Sequence, residues 1–224
     1  MATTREQFVK RIRGALGRGA NAEAPTPPAV EDALIRLTWA EEDLPGLFAE
    51  RAEAVGVSVR RCKAADLAGT LGELLDEHEV KTLTLAEEQI AGGAALAAGL
   101  DERGYELRAW QDDRSMTGHY DVDAGVSGCG AVLAETGTII YRSGEGGGRG
   151  HMLVPPIHVV VVRRSQVLAD MVDYMGQQAG LRPEQLPSSQ SMITGPSKTA
   201  DIEGVLITGV HGPGKVAVIV LEDA

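Results

Sequence analysis

Two rhythms of apolar residues alternate along this chain. In one, apolar positions recur three or four residues apart, as on one face of a helix. Leu67, Leu71, Leu74 and Leu75 show it within a helix predicted over 64–79. In the other, short runs are continuously apolar or β-branched, as in strands buried on both faces. The run 157–163 is the clearest of these and predicts a central strand. Helices are predicted over 44–55 and over 87–100, the latter Ala-rich and suited to close packing on a sheet. Strands are predicted over 57–62, 81–86 and 105–110. This alternation implies βαβ units and a parallel sheet.

The pattern changes in the second half. Residues 131–142 read as one long strand with an irregularity, or as two strands. Residues 165–178 read as a helix with Val167, Leu168, Met171, Val172 and Met175 inward. Late strands are expected over 191–194, 205–210 and 216–221. At the other end, 4–18 reads as a helix with Phe8, Ile12, Ala15 and Leu16 on one face. Thr4 with Gln7, or Thr3 with Glu6, can form its capping box. Pro25, Pro27 and Pro28 then mark a linker. The expected division is an N-terminal helix and linker over 1–30 and an α/β domain over 31–224.

The 224 residues suit one such domain, and low aromatic content leaves its core to Val, Leu, Ile and Ala. The net charge of -11 argues against nonspecific nucleic-acid binding and against a polybasic membrane site. A small anion remains a candidate ligand, with Arg142, Arg149, Arg163 and Arg164 available. Two cysteines, Cys62 and Cys129, are too few for an ordinary iron–sulfur cluster or structural zinc site. Free thiols, no apolar signal core and no membrane-length apolar run predict a soluble, cytoplasmic protein. No metal site is expected, because His78, His119, His151, His158 and His211 show no ligand spacing.

Four segments carry candidate chemistry. The run 128–144 (GCGAVLAETGTIIYRSG) places Glu135-Thr136-Gly137 between two strand-like stretches. Two readings are open. One is a bulge with Glu135 at a solvated edge and Gly137 relaxing the backbone. The other is a carboxylate held at a strand end beside backbone that a ligand can approach. The next stretch runs from Arg142 and Ser143 through glycines to Arg149, Gly150 and His151. It is either a mobile surface loop or an anion cradle, since glycine lets backbone N–H groups approach an anion and arginine grips one bidentately.

The third segment, 194–203 (TGPSKTADIE), gathers Ser197, Lys198, Thr199 and Asp201. It reads as a capped turn or as a polar loop touching substrate. The fourth, 209–216, nearly spells a P-loop, but Val216 replaces the metal-binding hydroxyl and a strand follows instead of a helix. A hairpin with His211 at its tip is the expectation. His151 and His211 stand beside glycine turns and suit proton transfer or substrate contact. His158, inside an apolar strand, reads as a hydrogen-bonded core residue.

Segments 125–138 (GVSGCGAVLAETGT), 153–161 (LVPPIHVVV), 194–203 and 209–213 (GVHGP) together resemble the lactate-utilisation domain family. The four matches fall in order and cover roughly the second half. The resemblance implies a three-layer α/β/α fold of the superfamily of ribose-5-phosphate isomerase, glucosamine-6-phosphate deaminase and CoA transferases. It implies a part in oxidation of L-lactate to pyruvate, as one subunit beside iron–sulfur oxidoreductase partners. This chain would then carry no redox cofactor of its own, the iron–sulfur clusters residing on the partners. Arg142 and Arg149 would hold a small anionic ligand, with Thr136, Gly137, Ser143, Ser197, Thr199 and Asp201 as further contacts. Glu135, His151 and His211 would be the catalytic groups. A homo-oligomer is compatible with this reading. Two alternatives stand beside it: a free-standing enzyme acting on a sugar phosphate or acyl-CoA, and a ligand-sensing module without turnover.

Overall fold

The computed structural model describes residues 3–19, 26, 28, 31–39, 43–109, 117–144, 146–200 and 204–224. The chain forms two compact units, Met1–Ile35 and Arg36–Ala224. The first holds α1 (Arg5–Ala15) and the single turn α2 (Asp32–Ile35). Thr4 caps α1: its Oγ1 accepts from Gln7 N at 3.3 Å, and Gln7 Oε1 accepts from Thr4 N at 3.1 Å. This reciprocal box satisfies two otherwise unpaired donors. No residue of α1 is buried.

The second unit runs α3 (Leu44–Ala54), β1 (Val57–Cys62), α4 (Leu67–Glu77), β2 (Thr82–Leu85), α5 (Gly93–Glu102) and β3 (Glu106–Ala109). It continues through β4 (Ala124–Ser127), β5 (Ala131–Leu133), β6 (Thr138–Ser143), α6 (Gly150–Leu153), β7 (Ile157–Arg163), β8 (Val167–Leu168) and α7 (Met171–Gln178). The last strands are β9 (Ser189–Ile193), β10 (Lys198–Thr199), β11 (Ile207–Thr208) and β12 (Lys215–Leu221).

Six strands form a wholly parallel sheet in the order β1-β12-β7-β4-β2-β3. The two longest, β7 and β12, lie inside it and are buried at every position but one terminal residue each. That explains their unbroken apolar composition. Alternate residues face opposite sides. Ile157, Val159 and Val161 meet the leucines of α4 and α5. Val160, Val162, Val218 and Val220 meet Phe48 and Ala52 of α3 together with Val132 and Ile139. The sheet is thus the middle of three layers, and the layer bearing α3 also carries a small sheet ordered β8-β5-β6-β9.

The small sheet explains where local pattern and structure part. Residues 131–142 are two antiparallel strands, Ala131 opposite Ile140 and Leu133 opposite Thr138. Gly137 closes the turn with φ +66, and a Cβ there would lie 2.5 Å from Ala52 N, so glycine is required on both counts. Residues 165–178 are not one helix. Val167 and Leu168 join β5 as a parallel strand, and Asp170 then caps α7 by accepting from Asp173 N at 3.0 Å. Met175 is exposed rather than inward. The expected hairpin at His211 is also absent: β11 pairs with β10, whereas β12 pairs with β1 and β7. His211 therefore lies in a loop joining two different sheets.

Candidate functional site

His158 is the second residue of β7, on the side facing α3 and the small sheet. Ser127 ends the neighbouring strand β4 and faces the same way, two residues beyond Gly125, the register partner of His158. Ser127 Oγ and His158 Nε2 lie 2.9 Å apart, and both residues are fully buried. Two hydrogen arrangements fit this contact. In one, Ser127 donates to Nε2 and the ring proton sits on Nδ1; in the other, Nε2–H donates to Ser127 and Nδ1 is an acceptor. In both, Nδ1 has no hydrogen-bond partner. A buried unsatisfied polar group costs about 1–3 kcal/mol, so it calls for an explanation. Burial holds the His158 pKa down to about 3, which keeps the ring neutral. Tyr141 stands edge-on to it at 6.3 Å and donates its hydroxyl to Gly148 O at 2.8 Å. Burial pushes the Tyr141 phenol up to about 12.

The His158 ring belongs to the wall of a cavity of about 290 Å³ at the amino ends of β7 and β12. Met152 and Leu153 of α6, Ser191, Met192 and Ile193 of β9, Thr194, Gly195, Ser197, His211, Gly212, Pro213 and Val216 complete the lining. Backbone bonds assemble this wall from distant segments. Ser197 N donates to Pro213 O at 2.9 Å, Gly209 N to Ser197 O at 2.8 Å, and Gly214 N to Pro156 O at 3.0 Å. None of the lining residues described is Asp, Glu, Lys or Arg. The polar groups are hydroxyls and two imidazoles set among apolar side chains, as is usual for small-molecule sites.

A second buried histidine, His151, lies within α6. His151 Nδ1 is 3.2 Å from Thr84 Oγ1, and its ring meets His119 edge-on at 4.9 Å. Burial, reinforced by His119 and His158, lowers its pKa to about 3. Gly125 makes room here, since a Cβ would lie 2.0 Å from His151 O. Among the described residues, no group of three or more His, Cys, Asp or Glu side chains is arranged to hold a metal ion.

The sequence-derived candidates divide between places. Ser197 and His211 meet in the cavity wall. Glu135 is half-buried in the β5–β6 turn, where its N–H donates to Ala169 O at 3.0 Å, and it is not part of that wall. Thr136 is exposed at the same turn, but its Oγ1 is 2.7 Å from Thr138 Oγ1, which is 2.8 Å from Thr194 Oγ1. Three hydroxyls therefore lead from the turn to the cavity. Gly137 packs on α3, as above. Arg142 and Ser143 pair with Gln190 and Ser189, at the end of β9 away from Thr194. The Arg142 carbonyl accepts from Gln89 Nε2 at 3.1 Å, and Ser143 Oγ donates to Ser189 O at 3.3 Å. Arg149 is exposed before α6, and His151 is buried against Thr84. Thr199 pairs with Ile207 in the two-stranded sheet, and Asp201 lies outside the described residues.

Ser127, Ser191 and Thr194 join His158 as site groups that were not among the sequence-derived candidates, although Thr194 opens the third segment and Ser127 and His158 lie in the resemblance segments. One signal was present for His158: a lone imidazole in a run otherwise apolar from Leu153 to Val162.

The fold is a three-layer α/β architecture with a cavity at the amino ends of β7 and β12, consistent with the isomerase, deaminase and CoA-transferase-like superfamily that the family resemblance implies. Residues 46–221 match the LUD domain, and the chain belongs to the LUD domain family. It is 26% identical over 232 residues to a lactate utilization protein C of Halalkalibacterium halodurans, each chain being covered completely. It is 30% identical over 234 residues to a lactate utilization protein C of an Exiguobacterium species, with 99% of this chain and 97% of the relative covered. A crystal structure of a DUF162 family protein from Deinococcus radiodurans superposes with a TM-score of 0.61 at 25% identity, over 80% of this chain and 97% of that one.

Proposed function

We propose that this protein acts in L-lactate utilisation, as a subunit of a system that oxidises L-lactate to pyruvate beside iron–sulfur partner proteins. The observation that carries this reading is similarity along the whole chain to relatives named lactate utilization protein C. The thiol content fits the division of labour. Cys62 lies in β1, and Cys129 packs against the core under α3. Desolvation pushes the Cys129 thiol up to about 12, so it is a poor thiolate donor. Electron-carrying clusters then belong to the partners, and this chain contributes a cavity for a small organic ligand. Ser197 and His211 are its polar contacts near the 194–197 turn.

The test is made in cells growing on L-lactate. Tagged protein should co-purify with iron–sulfur proteins, and deletion of its gene should abolish growth on L-lactate while leaving growth on pyruvate intact. Normal growth of the deletion strain on L-lactate, with tagged protein recovered alone, would overturn the reading.

A further inference from the structure

We propose that the cavity at the amino end of β7 binds a short-chain 2-oxo acid, whose oxo oxygen accepts a hydrogen bond from His158 Nδ1. The inference deepens the lactate reading and rests on it for the choice of a 2-oxo acid, and of pyruvate as first probe, among compact ligands that carry an acceptor oxygen. Three observations carry it. The wall contains a fully buried imidazole with one nitrogen engaged by Ser127 and the other unbonded. With Ser127 donating to Nε2, the arrangement in which the buried hydroxyl hydrogen is also bonded, the unbonded nitrogen is an N–H donor, and its complement is an acceptor such as a carbonyl oxygen. The cavity has a small volume, about 290 Å³, which suits a compact molecule better than a nucleotide or CoA ester.

The rest of the lining sets the orientation. Val216 and Ile193 offer contact to a short hydrocarbon chain. The carboxylate end belongs near exposed His211 and half-buried Ser197, where water and imidazole replace the lysine or arginine that the described wall lacks. In this structure the Nδ1 atom is covered. Met152 and Met192 flank the cavity, and both are unbranched with low rotamer barriers. Ligand access to Nδ1 requires side chains of the lining to change rotamer, which these two can do at low cost. Met192 is half-exposed on β9 and has room to do so.

Ser127 is a positioning residue here. It touches the imidazole rather than the ligand, and it dictates which nitrogen carries the proton. Replacing it by alanine frees Nε2 to take the proton and turns Nδ1 into an acceptor, which repels a carbonyl oxygen.

The test is imidazole ¹⁵N NMR on the full chain, with His158 assigned from H158N. Pyruvate, 2-oxobutyrate and acetate are titrated separately. The expected result has three parts. His158 shows a neutral Nδ1–H tautomer from about pH 5 to pH 8. The two oxo acids move its Nδ1 resonance saturably while acetate does not. S127A stays folded, shifts the tautomer toward Nε2–H and weakens pyruvate binding at least about tenfold, the worth of one buried hydrogen bond. An Nδ1 resonance unmoved by both oxo acids would overturn the proposal. So would an equal response to acetate, which would make the cavity a simple carboxylate site, or undiminished pyruvate binding by S127A. Each of these results leaves co-purification and lactate growth untouched, so failure here is distinct from failure of the lactate reading.

Discussion

Ser127 and His158 occupy adjacent parallel strands and meet side chain to side chain, Oγ to Nε2, at 2.9 Å in the fully buried interior. The contact depends on strand register. Gly125 stands opposite His158, so Ser127 reaches the ring from two residues further along β4. A shift of one residue would turn Ser127 to the face packed by α4 and α5.

Buried neutral histidines make stability depend on pH with a definite sign. His151 and His158 have folded pKa values of about 3 against 6.5 for the free side chain. Below 6.5 the unfolded chain takes up protons that the folded chain refuses, so stability falls with pH from about 6.5 toward 3 and is level above. With both groups the slope approaches ~2.7 kcal/mol per pH unit. Asp123 acts in a lower window. Hydrogen bonds from the backbone N–H groups of Lys81 and Thr82 hold its pKa below 3.8, and its contribution disappears only as pH drops through that lowered value. Urea unfolding at about pH 7, 6 and 5 measures the histidine slope. H158Q should roughly halve it, His151 supplying the remainder; equal stability of the parent at all three pH values would contradict neutral burial.

Gly137 and Gly144 bracket β6 and should respond oppositely to alanine. At Gly137 a Cβ meets the α3 backbone, and φ is +66. G137A is expected to cost at least ~1 kcal/mol from backbone conformation alone, with the clash in addition. A Tm lowered by roughly 2–4 °C per kcal/mol is the readout. At Gly144 an added Cβ meets nothing within 4 Å, so G144A should stay within about 0.5 kcal/mol of the parent.

Glu135 tests where the ligand sits. Its backbone is tied to Ala169 and its side chain is outside the cavity wall. E135Q should therefore leave pyruvate affinity within about twofold, whereas H211A should weaken it several-fold through loss of a polar contact at the cavity wall. Calorimetric titration of both variants decides. A greater loss in E135Q than in H211A would relocate the site to the β5–β6 turn.

Much of the framework was legible in the chain because its signals are local. β1 spans the residues predicted for it, 57–62, and β7 spans the apolar run 157–163. The four leucines of α4 all face the sheet core. The failures share one cause. Val167 and Leu168 fit a helical stripe locally, but they are recruited as a strand by Val132 and Leu133, residues 35 positions earlier. The site follows the same rule. Ser197 and His211 were visible as polar residues in glycine turns, whereas the Ser127–His158 pair exists only through the strand order β4-β7. The glycine-rich signature had a partly steric origin. Gly125 admits the backbone of His151, and Gly137 admits that of α3.

The cavity is built from two mechanically different materials. His158 and Val216 belong to the two long, interior strands of the large sheet, β7 and β12, whose amides are expected to exchange only through the largest openings of the domain. The roof of the cavity comes from the turns around Gly195 and Gly212, held by a few backbone bonds. Hydrogen exchange should therefore be slow beneath a bound molecule and fast above it. Such a pocket can admit and release its guest by loop breathing while the imidazole underneath stays in place.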